Sequence, residues 1–454
     1  MGLKVVKFGG SSIANAEQFR KVKDIIAADP ERRIVVVSAP GKRNSDDKKV
    51  TDLLIGCADL RLSQRDAGGE AALVVERYET IANELGLPGT IAQEFREDLF
   101  ARLENDTENA ARFEDSIKAL GEVYCAKLMA AYLSGEGLPA AYVDPGEAGL
   151  TVTEEYGNAR VKEISYSKLS AFRHAKDIVV FPGYFGYSEN GNVATFSRGG
   201  SDLTGAILAA SVGASLYENF TDVNGIAAAD PRIVEKPAII EELTYRELRE
   251  LSYGGFSVFH DEAMLPVLEA GIPLNVRNTN NPSHPGTRVV VSSKLARGGV
   301  VGVACENGYA GIYVRKHLMN REKGLGRRLL GIFEEEDLLF DHMPTGVDTI
   351  TVVLPEKQLS EKIVSNVTTR IYRELGAEEV NVERGLSLVI VVGERMRKSV
   401  GLAGRICTAI SNAGINIEML IQGPSELAMI IGISEKDAPN AVRAVYAEFF
   451  GGAQ

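Results

Sequence analysis

This sequence lacks a membrane-spanning run, a disulfide framework and any surplus of positive charge. Its longest charge-free stretches, such as Leu203 to Tyr217, fall short of the roughly 18 apolar residues a spanning helix needs and are broken by Gly and Ser. No membrane partner is expected. Met1 to Lys7 runs straight into structured-looking sequence, without the apolar run and small-residue cleavage site of a signal peptide, which predicts a cytoplasmic protein. The four cysteines, Cys57, Cys125, Cys305 and Cys407, are far apart and never form C-x-x-C, so buried thiols are expected rather than a zinc knuckle. Lys plus Arg number 50 against 62 Asp plus Glu, a balance of -12, which excludes a general affinity for nucleic-acid backbones. An anionic ligand has to be held by a local site.

Histidine is scarce, and His174, His284, His317 and His342 are scattered. The fifth stands in His260-Asp261-Glu262, a set of ligand-type residues; but adjacent residues do not share a helix face, so capping is the expected role and no metal site is predicted. Neither a G-x-S-x-G elbow nor an H-E-x-x-H pair occurs, which disfavours a hydrolase. A Walker loop and a G-x-G-x-x-G dinucleotide fingerprint are absent as well.

What is present suffices for several domains, because 454 residues at 45% apolar composition correspond to about three domains' worth of core. From Leu3 to about Pro285 buried β-rich runs (Lys4 to Phe8, Ile34 to Ser38, Ile178 to Pro182, Pro273 to Arg277) alternate with helical patterns (Ala16 to Ala28, Ala71 to Leu85, Phe95 to Leu103, Ser116 to Leu133, Leu203 to Ser211). That alternation predicts a layered α/β domain. A turn-rich stretch, Asn280 to Gly286, and a linker, Ser292 to Gly299, place its end near residue 295.

Beyond it the chain repeats itself with an offset of 77: Tyr309 pairs with Leu386, Met319 with Met396, Gly324 with Gly401, Arg328 with Arg405, Gly346 with Gly423 and Val353 with Ile430. Each copy reads strand, glycine turn, helix, two strands (Leu338 to Met343 and Thr349 to Leu354; Ile415 to Ile421 and Leu427 to Ile433) and a closing helix. The organisation expected is 1–295, 296–383 and 384–454, the last boundary depending on whether the repeats are sequential or intertwined.

Three loops carry the chemistry. Lys7-Phe8-Gly9-Gly10-Ser11-Ser12 joins a strand to a helix, where glycine N–H groups close on an anion and a lysine neutralises phosphoryl oxygens; a glycine-rich turn is the structural alternative. Ser197-Arg198-Gly199-Gly200-Ser201-Asp202 precedes an apolar helix whose N-terminus attracts anions, with Arg198 as a fork for a carboxylate or phosphate and Asp202 either orienting the lysine or capping the helix. Thr221-Asp222-Val223-Asn224-Gly225-Ile226, followed by Asp230-Pro231-Arg232, either holds a ribose or phosphate edge or only makes turns. Glu122 lies in an otherwise apolar helical stretch, where a core-facing carboxylate marks a ligand or partner and a solvent-facing one marks nothing.

Together and in this order, these segments resemble the aspartokinases of the amino-acid kinase family, most closely the monofunctional lysine-regulated type. The resemblance covers nearly the whole chain and implies an amino-acid kinase-type three-layer α/β sandwich followed by two ferredoxin-like (βαββαβ) ACT modules. It implies phosphoryl transfer from ATP with Mg2+ to the side-chain carboxylate of L-aspartate, the first step towards lysine, threonine and methionine. On that resemblance Lys7, Gly9, Gly10 and Ser11 hold the transferring phosphoryl group, and Thr221, Asp222, Arg232 and the Ser257 position hold the nucleotide. Thr51, Glu122, Arg198 and Ser201 hold aspartate, Glu122 through its amino group, while Asp202 orients Lys7. Lysine, or lysine with threonine, is the implied effector, with Met319, Gly324, Leu325, Asp341 and Thr345 as one site and Asn416, Ile417 and Gln422 as a second, in a homodimer or higher oligomer.

Two positions depart from the family's pattern. Where many members read G-A-K-V-L-H-P, this chain has Gly255-Phe256-Ser257-Val258-Phe259-His260-Asp261, and the tyrosine often found after G-I is Ala227. Lys236 or Arg277 is the expected replacement for the missing lysine. Another carboxylate kinase of the same fold and a catalytically silent amino-acid sensor are the competing readings.

Overall fold

The computed structural model describes residues 2–256, 261–293, 299–394, 396, 399–422 and 427–451. The chain forms two compact units: Met1–Ile226, Ile239–Tyr245 and Ser257–Leu295 make the first; Ala227–Ala238, Arg246–Phe256 and Ala296–Gln454 the second. Ser257 and His260, and the expected boundary between 295 and 296, lie outside the described residues.

The first unit is built on eight strands: β1 (Lys4–Phe8), β2 (Arg32–Val37), β3 (Ala140–Tyr142), β4 (Ile178–Pro182), β7 (Leu216–Thr221), β8 (Glu242–Thr244), β9 (Leu274–Asn278) and β10 (Thr287–Val290), with a separate hairpin of β5 (Phe185–Tyr187) and β6 (Val193–Thr195). Their order across the sheet is β3-β4-β2-β1-β7-β9-β10-β8, parallel except where β10 meets β9. The helices are α1 (Ala16–Ala27), α2 (Val50–Leu62), α3 (Gly68–Glu84), α4 (Thr90–Leu103), α5 (Ala110–Lys118), α6 (Leu120–Gly135), α7 (Pro145–Ala148), α8 (Ile164–Leu169), α9 (Gly200–Val212) and α11 (Leu265–Glu269).

Strand alternation sorts β1 between two layers. Val6 and Phe8 join Phe19 and Val22 of α1 and the residues of α2 to α6 in one apolar cluster, while α9 packs on β1, β2 and β7 from the opposite face. This is the three-layer sandwich expected. At the middle of the sheet β1 lies between β2 and β7, so the chain leaves its C-terminal end towards both sides, where open α/β sheets hold ligands.

The expected contiguous 1–295 domain is corrected: Ala227–Ala238 and Arg246–Phe256, the latter taking in nearly all of helix α10 (Tyr245–Tyr253), pack with the second unit. The physical reason is apolar burial, since Ala229, Ile233 and Val234 join the cluster of Val303, Val391 and Ile431.

In the second unit one antiparallel sheet runs β12-β11-β13-β15-β14, made of β11 (Gly302–Arg315), β12 (Thr349–Pro355), β13 (Glu379–Val392), β14 (Met419–Gln422) and β15 (Ala428–Ser434). Helices α12 (Leu325–Glu335), α13 (Glu361–Arg370), α14 (Leu402–Asn412) and α15 (Ala438–Phe450) cover it. Strands β11 and β13 pair over their length, from Gly302 opposite Val392 to Arg315 opposite Glu379, and the repeat-related residues Tyr309 and Leu386 face one another at the centre. The 77-residue repeat has become a local two-fold. The far half of β11 and the near half of β13 serve the first repeat, in a cluster with Leu329 and Ile332; the other halves serve the second, with Ile406 and Val445. The repeats are therefore intertwined, and the expected boundary between 383 and 384 falls inside β13. Leu338 to Met343, expected as a strand, forms only the isolated bridges His342–Val353 and, just beyond, Thr345–Ile350. Leu338 is buried and Met343 packs against the same cluster, but Leu339 and Phe340 are both exposed, so burial along the stretch does not alternate as it does in a strand.

Candidate active site

The C-terminal ends of β1 and β7 open into a cavity of about 600 Å3 lined by both glycine loops. Lys7 of β1 and Asn219 of β7 are register partners, and both reach Asp202 in the first turn of α9: Lys7 Nζ lies 2.5 Å from Oδ1, and Asn219 Nδ2 donates to the same oxygen at 2.6 Å. Of the two sequence alternatives for Asp202 the structure shows the lysine partner, because the N-cap of α9 is Gly199 and no side chain caps it. Gly199 adopts φ 82°, a left-handed conformation that suits glycine.

Two helix starts aim at this space. The N–H of Gly9 donates to the carbonyl of Phe220 and that of Ser12 to the carbonyl of Gly9, leaving those of Gly10 and Ser11, both lining the cavity, without intrahelical partners. Across from them Asp202 and Leu203 donate to the Gly199 carbonyl, and the N–H groups of Gly200 and Ser201 are free in the same sense. Gly9 is thus bound inward, a departure from its expected role as a donor. Gly10 in turn abuts Gly41: Gly41 N donates to Gly10 O at 2.9 Å, and a Cβ on Gly41 would stand 2.7 Å from the Gly10 carbonyl carbon.

Glu122, on α6, is the buried carboxylate of the cavity. Its side chain is 4% exposed; Oε1 accepts from the Ala39 N–H at 3.0 Å, and Oε2 is buried with no partner. Burial pushes its carboxyl from 4.5 up to about 8, against the smaller opposing effects of the Ala39 hydrogen bond and of Lys7. An orphan oxygen of this kind is expensive unless a donor or cation arrives from outside.

Thr51, Ser201, Thr221 and Asp222 line the same cavity. Arg198 is exposed and is not among the lining residues. Arg232 lies in the second unit, 84% exposed, in an ion pair with Asp230. Arg277 does not replace a phosphate-side lysine: it pairs with buried Glu218, stacks over Phe220 and lines a separate cavity. Sequence reading missed Ser38 to Lys42, Lys49 and Tyr184. The Pro40-Gly41 turn directly after a buried parallel strand was the signal available for the loop; Tyr184, a non-glycine at φ 82°, had none.

In the second unit, Met319 and Leu325 are buried in one cluster, and Gly324 caps α12 at φ 80°. Asp341 accepts a hydrogen bond from Tyr253, whose hydroxyl is pushed above its ordinary range by burial and then by that carboxylate. Thr345 lines a groove of about 440 Å3 with Tyr313, Glu383, Arg384 and Met419, which takes in none of Met319, Gly324, Leu325 and Asp341. Asn416, Ile417 and Gln422 flank it without lining it.

Residues 2–278 match the amino acid kinase family and residues 389–449 an ACT domain. The sequence is 51% identical to aspartokinase 3 of Bacillus subtilis over 99% of each protein. The crystal structure of the Clostridium acetobutylicum aspartate kinase is similar with a TM-score of 0.86 at 37% identity, covering 99% of this chain and 100% of that one. E. coli aspartokinase III, solved in complex with aspartate and ADP, shares the fold at a TM-score of 0.77 and 23% identity, over 99% and 100% of the two chains.

Proposed function

The chain belongs to the aspartokinases of the amino acid kinase family, and from that premise we propose how it works: its first unit transfers the γ-phosphoryl group of ATP to the side-chain carboxylate of L-aspartate, giving 4-phospho-L-aspartate. The observation that carries the assignment to this cavity is Glu122. Its unpartnered, buried Oε2 calls for a cation, and the α-ammonium of an amino acid supplies one while leaving the side-chain carboxylate directed at the anion loops.

The chemistry needs little more than placement. A carboxylate is already a nucleophile, so no base has to be found, and the barrier falls through alignment and charge neutralisation. Lys7, held by Asp202, faces the phosphoryl group; the N–H groups of Gly10, Ser11, Gly200 and Ser201 receive its oxygens; Thr221 and Asp222 border the nucleotide. Thr51 and Ser201 complete the aspartate side.

Among the described residues no group of three or more His, Cys, Asp or Glu side chains is placed to hold a metal ion. Mg2+ keeps water and phosphate ligands and asks for one or two protein carboxylates; Asp222, which lines the cavity and forms no ion pair among the described residues, would supply one. The ion would neutralise phosphate charge.

The second unit is the regulatory half of the proposal: an amino-acid effector, lysine or lysine with threonine, acts through it in a homodimer or larger assembly. Its ACT match and Asp341 support this reading. No helix among the described residues is long and apolar enough to cross a membrane.

The test is ATP-dependent acyl phosphate formation, trapped as the hydroxamate, with L-aspartate against L-glutamate and then with added lysine or threonine. Aspartate-dependent product reduced by lysine is expected. Absence of product at saturating ATP and Mg2+ would favour the silent-sensor alternative.

A further inference from the structure

Three lysines line the cavity, and only Lys7 has been given work. Lys42 and Lys49 line it from the loop between β2 and α2, and neither side chain forms an ion pair or hydrogen bond among the described residues. Lys7 already spends its charge on Asp202. A triphosphate and a dicarboxylate brought into one cavity carry several negative charges, and charge left uncompensated there repels the nucleophile.

The loop that carries the two lysines is tied down at both ends by one buried side chain. Arg77 of α3 is 4% exposed. Its Nη1 donates to the Gly41 carbonyl at 3.0 Å, and its Nη2 donates to both oxygens of Asp47 at 2.7 Å and to the Lys48 carbonyl at 3.2 Å. Arg43 closes on the same carboxylate from the loop itself, with Nε to Oδ2 and Nη2 to Oδ1 both at 3.0 Å. The Arg43 guanidinium, and then Arg77, hold the Asp47 carboxyl well below the usual carboxylate range. The anchored positions are Gly41 and Asp47-Lys48, so each free lysine is the immediate neighbour of an anchor: Lys42 follows Gly41 and Lys49 follows Lys48. Gly41 also makes the backbone contact with Gly10, which sets the loop against the first anion loop.

A buried ion pair is a poor source of stability, because desolvation offsets most of its attraction; its geometry is the better reason for having one. We propose that Arg77 and Asp47 form a positioning clamp that holds Lys42 and Lys49 over the anion loops, where the two ammonium groups neutralise the phosphates and the incoming carboxylate. This rests on the reading of the cavity as the phosphoryl-transfer site. Lys42 and Lys49 touch the reactants; Arg77 acts only through them. They also answer for the positive charge that the Ser257 position lacks, since neither Lys236, in the second unit, nor Arg277, paired with Glu218, is among the residues lining the cavity.

The experiment compares Lys42→Ala, Lys49→Ala, Arg77→Met and the double variant Arg77→Met/Lys49→Ala by kcat and KM for ATP and for aspartate, with the melting temperature recorded for each. Each lysine variant is expected to lose roughly 10- to 100-fold in kcat/KM for ATP, the scale of one lost electrostatic contact, without a drop in melting temperature. Arg77→Met is expected to lose a similar factor, and the double variant to fall no more than about threefold below the worse single one, because a displaced lysine has little left to lose. Arg77→Lys should rescue poorly, since one ammonium does not span Gly41 and Asp47. Should Arg77→Met fail to fold, Asp47→Asn opens the same clamp and takes its place. Affinity for a fluorescent ATP analogue reads the same coupling without turnover, so a chain that bound nucleotide but left aspartate untouched would sink the functional reading while still testing the clamp. Lysine variants within twofold of the parent, or full multiplication of the Arg77 and Lys49 effects, would overturn the proposal.

Discussion

The cavity of the first unit exposes groups that have no partner, whereas in the second unit Asp341 and the groove residue Arg384 already have one. Glu122 Oε2, Lys42 and Lys49 wait on one side. On the other, Asp341 is taken by Tyr253, and Arg384 is bound to Glu356 and the Leu359 carbonyl. A preorganised site binds without rearranging, which suits a catalytic centre. A self-satisfied site has to give up internal bonds to take a ligand, so occupancy is coupled to conformation; regulation needs that coupling.

The comparison breaks most sharply at Lys7. Lys7→Ala removes the cavity lysine that is held by Asp202, and kcat measured by ADP release is expected to fall on the order of 10³-fold, the upper range for one electrostatic stabiliser. A loss under tenfold would mean that the preorganised charge is not where the barrier is lowered.

In the second unit the shared strands are the point to strike. Ile312, fully buried in the first-repeat half of β11, should cost about 2–5 kcal/mol as Ile312→Ala. Because β11 and β13 run through both repeats, hydrogen exchange should accelerate in β15 and α14 as well as in β12 and α12. Acceleration confined to β12 and α12 would show that the repeats open independently.

Glu122 sharpens the contrast through pH. Its carboxyl keeps its proton in the folded chain until about pH 8, while the unfolded chain releases it near 4.5. The stabilisation it gives is therefore full below pH 4.5 and is lost as pH rises to about 8, a change on the order of 3–5 kcal/mol. Glu122→Gln should flatten that part of the stability curve measured by denaturant melts. Aspartate binding runs the opposite way: the ammonium prefers the ionised carboxylate, so kcat/KM for aspartate should climb towards pH 8 and level off.

The smallest effect belongs to Tyr253. Tyr253→Phe frees Asp341 from one hydrogen bond worth about 1 kcal/mol at a half-exposed position, so the effector concentration for half-inhibition should shift roughly fivefold, to lower values, because the competitor for Asp341 is gone. An unchanged value would place the effector elsewhere.

How far the sequence reaches follows from how local each feature is. Gly9-Gly10 and Gly199-Gly200 announce themselves because a glycine pair between a strand and a helix is a short-range pattern with a short-range cause, and Lys7 and Asp202 travel with those loops. The alternation that sorts Val6 and Phe8 from Val5 and Lys7 is equally local. The Arg77–Asp47 clamp is not, since a residue 30 positions away in a helix of ordinary composition carries no mark of what it binds. The intertwined repeats are hidden for a related reason: β11 and β13 each read as an ordinary buried strand, and only their 14-residue length hints that each serves two modules. Arg232 stands in the second unit although Thr221 and Asp222, shortly before it in sequence, stand in the first, because the chain crosses from one unit to the other between Ile226 and Ala227.

The claim on which most depends is that Glu122 reads the α-ammonium of the substrate. Acyl phosphate formation, trapped as hydroxamate, should be measured for L-aspartate and for succinate, which keeps both carboxylates and lacks the amine, with the parent chain and with Glu122→Gln. The account requires the parent to prefer aspartate by on the order of 100-fold in kcat/KM and the variant to lose most of that preference by losing aspartate, the scale of a buried charge pair deprived of one partner. A variant that keeps the parent's preference, with kcat/KM for aspartate within about threefold, a difference below 1 kcal/mol, would contradict it.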